Sequence, residues 1–259
     1  MTDRGLVQPG VLTLGACSGS GPTNVLHADG GRTGFEPGLA DQLAAVLGLS
    51  VQWMTLEWAD LYGALAGGRI DGILYNQTIT AARRELADFT RPYGVFHEAV
   101  LTVAGSNIRE LDDLAGRRLG AIERTNNHVL AQAIAGDGVV SYPANAEGFD
   151  QMLEDLRRGR IDALVDNEIW LGPYTAEGFQ IAFTIRTGNV YGIAVVRGSA
   201  LRTPLDDAIS AMERSGVLEA LWQQSFPGIP YDRPQAEVEH DLDTLRALLR
   251  EPAAIRVNH

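Results

Sequence analysis

The sequence predicts an α/β fold made of two similar halves, and three observations support that prediction. A segment at residues 65–74 (LAGGRIDGIL) returns at residues 156–165 (LRRGRIDALV). Each copy follows an amphipathic helical stretch, and in each copy a glycine ends the helix before a short apolar strand. Helical and extended stretches alternate through most of the chain, which is typical of mostly parallel sheets covered by helices on both faces.

The first half is predicted to place a polar cluster at the end of a strand. Its elements, in chain order, are strand 11–15, helix 37–47, strand 51–54, helix 58–66 and a short strand after Asp71. The last strand stops at Tyr75-Asn76-Gln77. Ligands of α/β sheets bind beyond the carboxyl ends of the strands, so this cluster is a candidate binding segment.

The second half repeats the pattern. Its elements are strand 118–122, helix 127–135, strand 139–142, helix 147–158 and strand 163–165, and two further extended stretches cover 100–103 and 191–196. The last strand of the repeat stops at Asp166-Asn167-Glu168, where Asn167 has the place that Asn76 has in the first copy. We therefore expect the two polar clusters to face a shared cleft.

A separate apolar pattern follows the proline-containing stretch 227–234. Five residues recur at helical spacing, namely Val238, Leu242, Leu245, Leu248 and Leu249. The pattern predicts a helix that packs on the body of the protein, and a helix that binds a partner is the alternative.

Composition excludes several classes of function. The 259 residues carry a net charge of -12 and are 45% hydrophobic, as in ordinary soluble globular proteins, and the acidic balance argues against nucleic acid as a partner. Because the chain has no lysine, it cannot form a Schiff base or supply the lysine of a phosphate-binding loop. The single cysteine, Cys17, excludes an internal disulfide, and no histidines have metal-ligand spacing. We expect no cofactor and no metal.

The amino terminus leaves the cellular location open. Leu14-Gly15-Ala16-Cys17 is similar to a lipoprotein cleavage box, but the preceding residues make a poor leader, since Asp3 offsets Arg4. A buried strand is the favoured interpretation of this stretch. The protein is expected outside the cytoplasm if a leader was trimmed, and in the cytoplasm if Met1 is the native start.

Several motifs occur in a fixed order between residues 11 and 226. They are Gly34-Phe35-Glu36, Gly68-Arg69-Ile70-Asp71, Thr78-Ile79-Thr80 with Arg83, Asp88-Phe89-Thr90, Leu111-Asp112-Asp113-Leu114-Ala115-Gly116 and Tyr191-Gly192-Ile193-Ala194-Val195. In this order they resemble the family 3 solute-binding proteins, the polar amino-acid receptors of ABC importers.

The resemblance implies a two-lobed, type 2 periplasmic-binding-protein-like fold, in which two hinge strands join the lobes around a ligand cleft. The hinges are expected near 101–105 and 188–194. Lobe 1 is then residues 1–103 plus 194–235, lobe 2 is 104–193, and 236–259 form a C-terminal helical extension.

The resemblance also implies ligand-binding residues in the first lobe. Arg83 stands where the family binds the α-carboxylate of the ligand, and its planar guanidinium suits a carboxylate, although a surface arginine is the alternative. Tyr75, Asn76 and Thr78 fall on positions that offer hydroxyl and backbone groups to the ligand. Trp58 falls on a wall position of the site, with a core tryptophan as an equal alternative.

The chain departs from the family in two ligand-binding segments. The aromatic-rich segment after the first strand is replaced by small residues at 18–24, where Ser20 and Asn24 are candidate contacts. The acidic residue that pairs with the ligand ammonium aligns with Asn167. Asp166 is adjacent, but strand alternation directs it to the other side, which makes an α-amino group in the ligand doubtful.

The anion-binding turn of the second lobe reads Glu123-Arg124-Thr125-Asn126-Asn127. At a helix start, Thr125 and Asn126 can present backbone N–H groups to a carboxylate. Arg124 is either a second cation or an exposed arginine. Two separate anion sites would suit a ligand with two carboxylates, or one bulkier than the common amino acids.

An enzyme is the alternative to a receptor. The chain is similar to dehydratases that act on prephenate or arogenate, which carry a Thr-Asn pair like Thr125-Asn126. Four candidate acids are Glu123, His128, Glu168 and His97. The catalytic glutamate of those enzymes aligns with Trp170, which counts against that reaction.

The sequence therefore predicts a protein that binds a small carboxylate-bearing solute, amino-acid-like or dicarboxylate, as the substrate-binding component of an ABC importer. We expect the protein to be a monomer and to bind an ABC permease. The alternative is a leaderless cytosolic lyase acting on a prephenate- or arogenate-like carboxylate on the same fold.

Overall fold

Two strands carry the chain back and forth between two folding units in the computed structural model. Unit 1 comprises residues 1–95 and 189–237, and unit 2 comprises residues 96–188 and 238–259. The structure describes residues 5–17, 21–227, 229–234 and 241–257.

The elements follow the predicted alternation of strands and helices. In chain order they are β1 (Val11–Cys17), β2 (Val25–Leu26), β3 (Arg32–Thr33), α1 (Phe35–Leu47), β4 (Ser50–Leu56), α2 (Leu61–Ala66), β5 (Gly72–Ile73), α3 (Ala81–Arg84), β6 (Asp88–Phe89), β7 (Gly94–Val103), β8 (Leu119–Ile122), α4 (Asn126–Ala135), β9 (Val139–Tyr142), α5 (Ala146–Arg157), β10 (Ala163–Asn167), α6 (Glu168–Leu171), β11 (Phe179–Tyr191), β12 (Ala194–Val195), α7 (Arg202–Ser215), α8 (Val217–Ser225), α9 (Leu242–Leu248) and β13 (Ile255–Val257). Short 3-10 helices occur at Trp58–Asp60, Leu111–Leu114, Gly136–Gly138, Gly172–Glu177 and Pro252–Ala254.

Unit 1 is built on a five-stranded sheet with the order β4-β1-β5-β12-β6. The apolar stretch that was predicted as a strand forms β1, which runs parallel to β4 and to β5. β12 is antiparallel to both β5 and β6. Residues of α1, α2 and α8 supply buried side chains to this unit, with Leu39, Leu61 and Trp222 among the least exposed.

Unit 2 is built on a six-stranded sheet with the order β13-β11-β7-β10-β8-β9. β8 is parallel to β9 and β10, whereas β10 is antiparallel to β7 and β13 is antiparallel to β11. The expectation of mostly parallel sheets is therefore wrong in part. Both sheets are mixed because strands outside the βαβ repeats enter them in the opposite direction.

The repeated segment has the same structural role in both units. Gly68 and Gly159 each adopt a left-handed φ, of 67° and 68°, just after a helix. Asp71 accepts backbone hydrogen bonds from Val7 and Thr13, both at 2.7 Å, and Asp162 accepts one from the backbone of Arg118 at 2.9 Å. Each aspartate thus ties the end of its repeat to a neighbouring strand.

The sequence predicted a helical extension at the C-terminus, but the segment is helical only in part. α9 is followed by a 3-10 turn and then by strand β13. Leu245 is buried in the core of unit 2, and Leu248 and Leu249 pack against that core, while Val238 lies outside the described residues. No helix in the described ranges is long and apolar enough to cross a membrane.

The division between the units falls within β7 and β11, at 95/96 and 188/189. The boundaries expected from the sequence, 103/104 and 193/194, lie at or just beyond the carboxyl ends of the same two strands. The structure groups residues 238–259 with unit 2.

Replacing Asp71 with alanine is expected to destabilise the protein, because the N–H of Thr13 would stay buried without an acceptor. A lost buried acceptor costs about 1–3 kcal/mol. Urea unfolding measures the change, and Asp162→Ala, at the equivalent but more exposed position of the repeat, is expected to cost less. Equal losses in the two variants would contradict this interpretation.

Candidate functional site

The guanidinium of Arg83 is positioned by a short helix in unit 1. Thr80 caps α3 by accepting a hydrogen bond from the backbone N–H of Arg83 at 3.2 Å. Nη1 of Arg83 donates to the carbonyl of Thr78 at 2.9 Å, and Cζ lies 5.4 Å from the centroid of the Trp58 ring. Among the described residues, no carboxylate pairs with Arg83, so its guanidinium retains donors for an anion.

Trp58 contacts both the core of unit 1 and the side chain of Arg83. Its ring packs against the core of unit 1 and lies 6.4 Å from the ring of Tyr75, with the planes inclined at 62°. The same ring carries the guanidinium of Arg83. A cation over an indole ring is stabilised electrostatically, so Trp58 orients Arg83.

A buried carboxylate fixes the backbone beside these groups. Glu36 is fully buried and accepts hydrogen bonds from the N–H of Asn76 at 2.7 Å, from the hydroxyl of Tyr93 at 2.6 Å and from Nδ2 of Asn24 at 3.5 Å. Asn76 has a left-handed φ of 50°, which is uncommon outside glycine. The bond from Asn76 to Glu36 therefore holds the polar segment 75–78 in a conformation that the chain alone does not favour.

Burial raises the pKa of Glu36 to about 7, and the three donors oppose that rise. The glycine of the Gly34-Phe35-Glu36 motif explains how Glu36 reaches this place. A Cβ at Gly34 would lie 2.7 Å from the carbonyl oxygen of Thr23, and Gly34 has a φ of 118°. Glycine therefore allows the start of α1 to approach the segment before β2.

Asn76 and Asn24 are both engaged within unit 1. Nδ2 of Asn76 donates to the hydroxyl of Thr23 at 3.0 Å, while its Oδ1 is buried without a partner among the described residues. Asn24 accepts a hydrogen bond from Nη1 of Arg32 at 2.8 Å. Ser20 lies outside the described residues, as do Ser18 and Gly19.

Sequence reasoning missed Arg32. Its Nη2 donates to the carbonyl of Cys17 and to the hydroxyl of Thr55, both at 2.9 Å, and its guanidinium lies 5.5 Å from the ring centroid of Trp53. Burial lowers the pKa of Arg32. Only its closeness to the Gly34-Phe35-Glu36 motif could have drawn attention to it, since its partners come from distant parts of the chain.

In unit 2, the turn after β8 begins a helix. Thr125 caps α4, because its Oγ1 accepts from the N–H of His128 at 3.2 Å and donates to the carbonyl of Ile122 at 2.6 Å. Asn126 is the first residue of α4, which places its N–H in the unsatisfied first turn. Arg124 is exposed and has a left-handed φ of 60°.

The carboxyl of Asp166 lies beside this turn. Its Oδ1 accepts hydrogen bonds from Nδ2 of Asn127 and from the N–H of Asn167, both at 2.7 Å. Burial raises the pKa of Asp166 to about 6. No arginine or histidine in the described ranges pairs with this carboxyl. Asn167 instead caps α6, since its Oδ1 accepts from the N–H of Ile169 at 2.9 Å.

The four candidate acids of the enzyme hypothesis have separate partners. The buried Glu168 pairs with Arg256, and the ring of His128 bonds to the hydroxyl of Ser141 at 2.8 Å. Nδ1 of the buried His97 accepts from the N–H of Gly188 at 3.3 Å. Glu123 is half-buried, and its N–H donates to the carbonyl of Tyr142 at 2.9 Å.

Two further features bear on chemistry in unit 2. Trp170 packs edge-on against Phe149, with ring centroids 5.8 Å apart. An indole at that position supplies no proton donor of the kind that a dehydratase glutamate provides. Within the described ranges, no group of three histidine, cysteine, aspartate or glutamate side chains is arranged to hold a metal ion.

Known proteins resemble this chain over most of its length. The sequence profile of the bacterial extracellular solute-binding proteins, family 3, matches residues 12–228. The L-cystine-binding protein TcyJ of Escherichia coli (strain K12) is 31% identical over 238 residues, which is 86% of this chain and 87% of that protein.

Solved structures agree with these sequence comparisons. An ancestral arginine-binding protein bound to arginine superposes with a TM-score of 0.72 at 26% identity, covering 84% of this chain and 98% of that one. The ancestral amino-acid-binding protein AncCDT-1, a precursor of cyclohexadienyl dehydratase, gives a TM-score of 0.72 at 23% identity, over 84% of this chain and 95% of that one. The second likeness shows the fold alone.

The raised pKa of Glu36 predicts a pH dependence of stability. The folded pKa of about 7 lies above the ordinary 4.5, so the folded protein holds this proton more tightly than the unfolded chain. Relative to that of Glu36→Gln, the free energy of unfolding of the wild type is therefore highest below pH 4.5. It falls by on the order of 3 kcal/mol as the pH rises from 4.5 through 7. Urea unfolding of both proteins from pH 4.5 to 8 measures the difference. A difference that does not change with pH would contradict the assignment.

Proposed function

The chain belongs to the bacterial extracellular solute-binding proteins of family 3, and we propose that it binds a small amino-acid-like solute through an α-carboxylate and an α-ammonium group. Two observations, one in each unit, carry this proposal: the guanidinium of Arg83 in unit 1 and the carboxyl of Asp166 in unit 2 each have no counter-ion among the described residues.

Arg83 is the group that receives the carboxylate. Its guanidinium is oriented by the ring of Trp58 and by the carbonyl of Thr78, which leaves the rest of the planar fork for a bidentate contact. Tyr75 and Asn76 belong to the same polar segment, 75–78. Glu36 holds the backbone of that segment in place by accepting the hydrogen bond from the N–H of Asn76. In unit 2, the N–H groups of Thr125 and Asn126 are further donors for a carboxylate.

Asp166 is the group that receives the ammonium. Asp166 is half-buried and has no cation beside it among the described residues, so a bound ammonium would stabilise its ionised form. The family position for this role holds Asn167, whose Oδ1 is already bonded to the N–H of Ile169. An ionised Asp166 beside α4 also disfavours a second carboxylate there, so an amino acid fits better than a dicarboxylate.

We further propose that the protein works outside the cytoplasm and delivers its solute to an ABC permease. The family consists of extracellular solute-binding proteins, and TcyJ and the ancestral arginine-binding protein are both named for an amino acid that they bind. L-cystine and L-arginine are accordingly the first solutes to test, and L-glutamine is the third, since a solved structure shows an ancestral arginine-binding protein bound to it.

The binding proposal is preferred to the dehydratase alternative. Glu168 is held in an ion pair with Arg256, and the rings of His97 and His128 bond to Gly188 and Ser141 of unit 2. General acid catalysis needs an acid within reach of the leaving group, and no two of these candidates bond to each other.

Replacing Arg83 with alanine is expected to weaken binding of the tightest-bound of the three amino acids by about 10- to 100-fold, because charge-assisted hydrogen bonds contribute about 1.5–3 kcal/mol. Isothermal titration measures the affinity. Arg91→Ala is the matched control, since it removes an exposed arginine that pairs with Glu213 in the same unit. If the two variants bind alike, Arg83 is not the carboxylate-binding group.

Replacing Asp166 with asparagine is expected to weaken binding of the same amino acid at pH 8 at least tenfold, because the anionic partner of the ammonium is lost. Wild-type affinity is expected to fall as the pH drops through about 6, where Asp166 takes up a proton, and the variant is expected to lose that dependence. Titration from pH 5 to 8 measures both effects.

The control ligand for Asp166→Asn is the same solute without its amino group. The wild type and Asp166→Asn are expected to bind this des-amino analogue with similar affinity. Asn167→Asp keeps Asp166, and we expect it to bind the amino acid at least as tightly as the wild type. An Asp166→Asn variant with wild-type affinity for the amino acid would rule out this role.

A further inference from the structure

The C-terminal segment 241–257 is an integral part of unit 2, although the family profile ends at residue 228. β13 adds an edge strand to the six-stranded sheet, with Ile255 opposite Ile185 and Arg256 opposite Thr184 on β11. Leu245 and Ala254 are 2% and 4% exposed. Strand pairing and burial of this kind hold the segment in one register.

Arg256 connects this added strand to a buried carboxylate. Its Nη2 donates to Oε2 of Glu168, and the hydroxyl of Thr184 donates to the same oxygen at 3.3 Å. Glu168 is 6% exposed, and Arg256 is the cation that the described residues place on it. Removing Arg256 leaves the charge of the buried Glu168 uncompensated, so Glu168 would move or draw in water.

Glu168 is in turn continuous with the polar cluster of β10. It is the first residue of α6, and Asn167 is the cap of that helix through its bond to the N–H of Ile169. The N–H of Asn167 donates to Oδ1 of Asp166. A displacement of Glu168 therefore shifts the cap residue and the carboxyl that is bonded to it.

We propose that Arg256 is a positioning residue for solute binding, which it serves by holding Glu168 so that Asp166 and Asn167 keep their places at the end of β10. This inference rests on the proposed function of Asp166. The added C-terminal strand β13 then supports the binding residues of unit 2 through the side chain of Arg256, which itself does not contact the solute.

The test compares Arg256→Gln with the double variant Arg256→Gln/Glu168→Gln. The first leaves a buried carboxylate unpaired, and the second removes both charges. At pH 8, Arg256→Gln is expected to weaken binding of the tightest-bound of L-cystine, L-arginine and L-glutamine at least fivefold, and the double variant is expected to recover most of that loss. Isothermal titration below the unfolding temperature of each variant separates affinity from stability.

Arg246→Gln is the matched control, because Arg246 lies in the same segment and its nearest acid, Asp243, is highly exposed. We expect it to bind as the wild type does. Wild-type affinity in Arg256→Gln, with only a lower melting temperature, would overturn the inference. A double variant as weak as the single one would also overturn it.

Hydrogen exchange separates failure of this inference from failure of the proposed function. In the absence of solute, the peptide covering 163–171 is expected to exchange faster in Arg256→Gln than in the wild type or Arg246→Gln. If the wild type binds none of the three amino acids, the proposed function is wrong, and the exchange result still decides whether Arg256 positions this segment. Unchanged exchange in Arg256→Gln would reject the positioning role.

Discussion

The hydrogen bond from the N–H of Asn76 to the buried carboxylate of Glu36 holds the candidate binding segment of unit 1 in place. Asn76 has a left-handed backbone, which a side-chain-bearing residue keeps only where its surroundings compensate. The bond supplies that compensation through an acceptor that is fully buried. Thr78, whose carbonyl orients Arg83, lies two residues after Asn76, so the conformation at Asn76 helps to determine where the guanidinium lies.

Buried and half-buried carboxylates in this protein differ in how completely hydrogen bonds and cations satisfy them. Asp71 accepts two backbone hydrogen bonds and fixes a strand. Glu168 has an arginine, and Glu36 has three donors. Asp166 has two neutral donors on one oxygen and no cation among the described residues, and its pKa is raised accordingly. A carboxylate in that state is unusual for a purely structural role, because burial without charge compensation costs stability.

The sequence predicted the elements whose signals are local. β1, α1, α4 and α5 carry a continuous apolar run or helical spacing, and the predicted bounds lie within a few residues of the observed ones. The repeat around Asp71 and Asp162 was visible because the same turn and the same aspartate contact are needed twice. Thr125 was recognised as part of a helix start, and its side chain caps α4.

Features that depend on distant pairing were not predicted. The antiparallel strands and β13 have no local pattern that fixes a neighbour, since strand partners are chosen by the whole sheet. Arg32 and Arg256 resemble any surface arginine in the sequence, and their partners at Cys17, Thr55 and Glu168 lie elsewhere in the chain. A carboxylate is recognised as unpaired only when every neighbouring element is known, so Asp166 was passed over for Asn167.

If Asp166 rather than Asn167 is the polar partner in unit 2, the solute that fits the site also changes. With asparagine at the family position, the sequence made an α-amino group doubtful and left an amino-acid-like solute and a dicarboxylate open. The structure engages Oδ1 of Asn167 in a helix cap, and the described residues place no cation on the neighbouring carboxyl. A dicarboxylate near Asp166 would place like charges together, whereas an ammonium would stabilise the ionised carboxylate and lower the pKa that burial raises. Electrostatics in unit 2 therefore favours a zwitterion, even though the residue at the family's usual position is neutral.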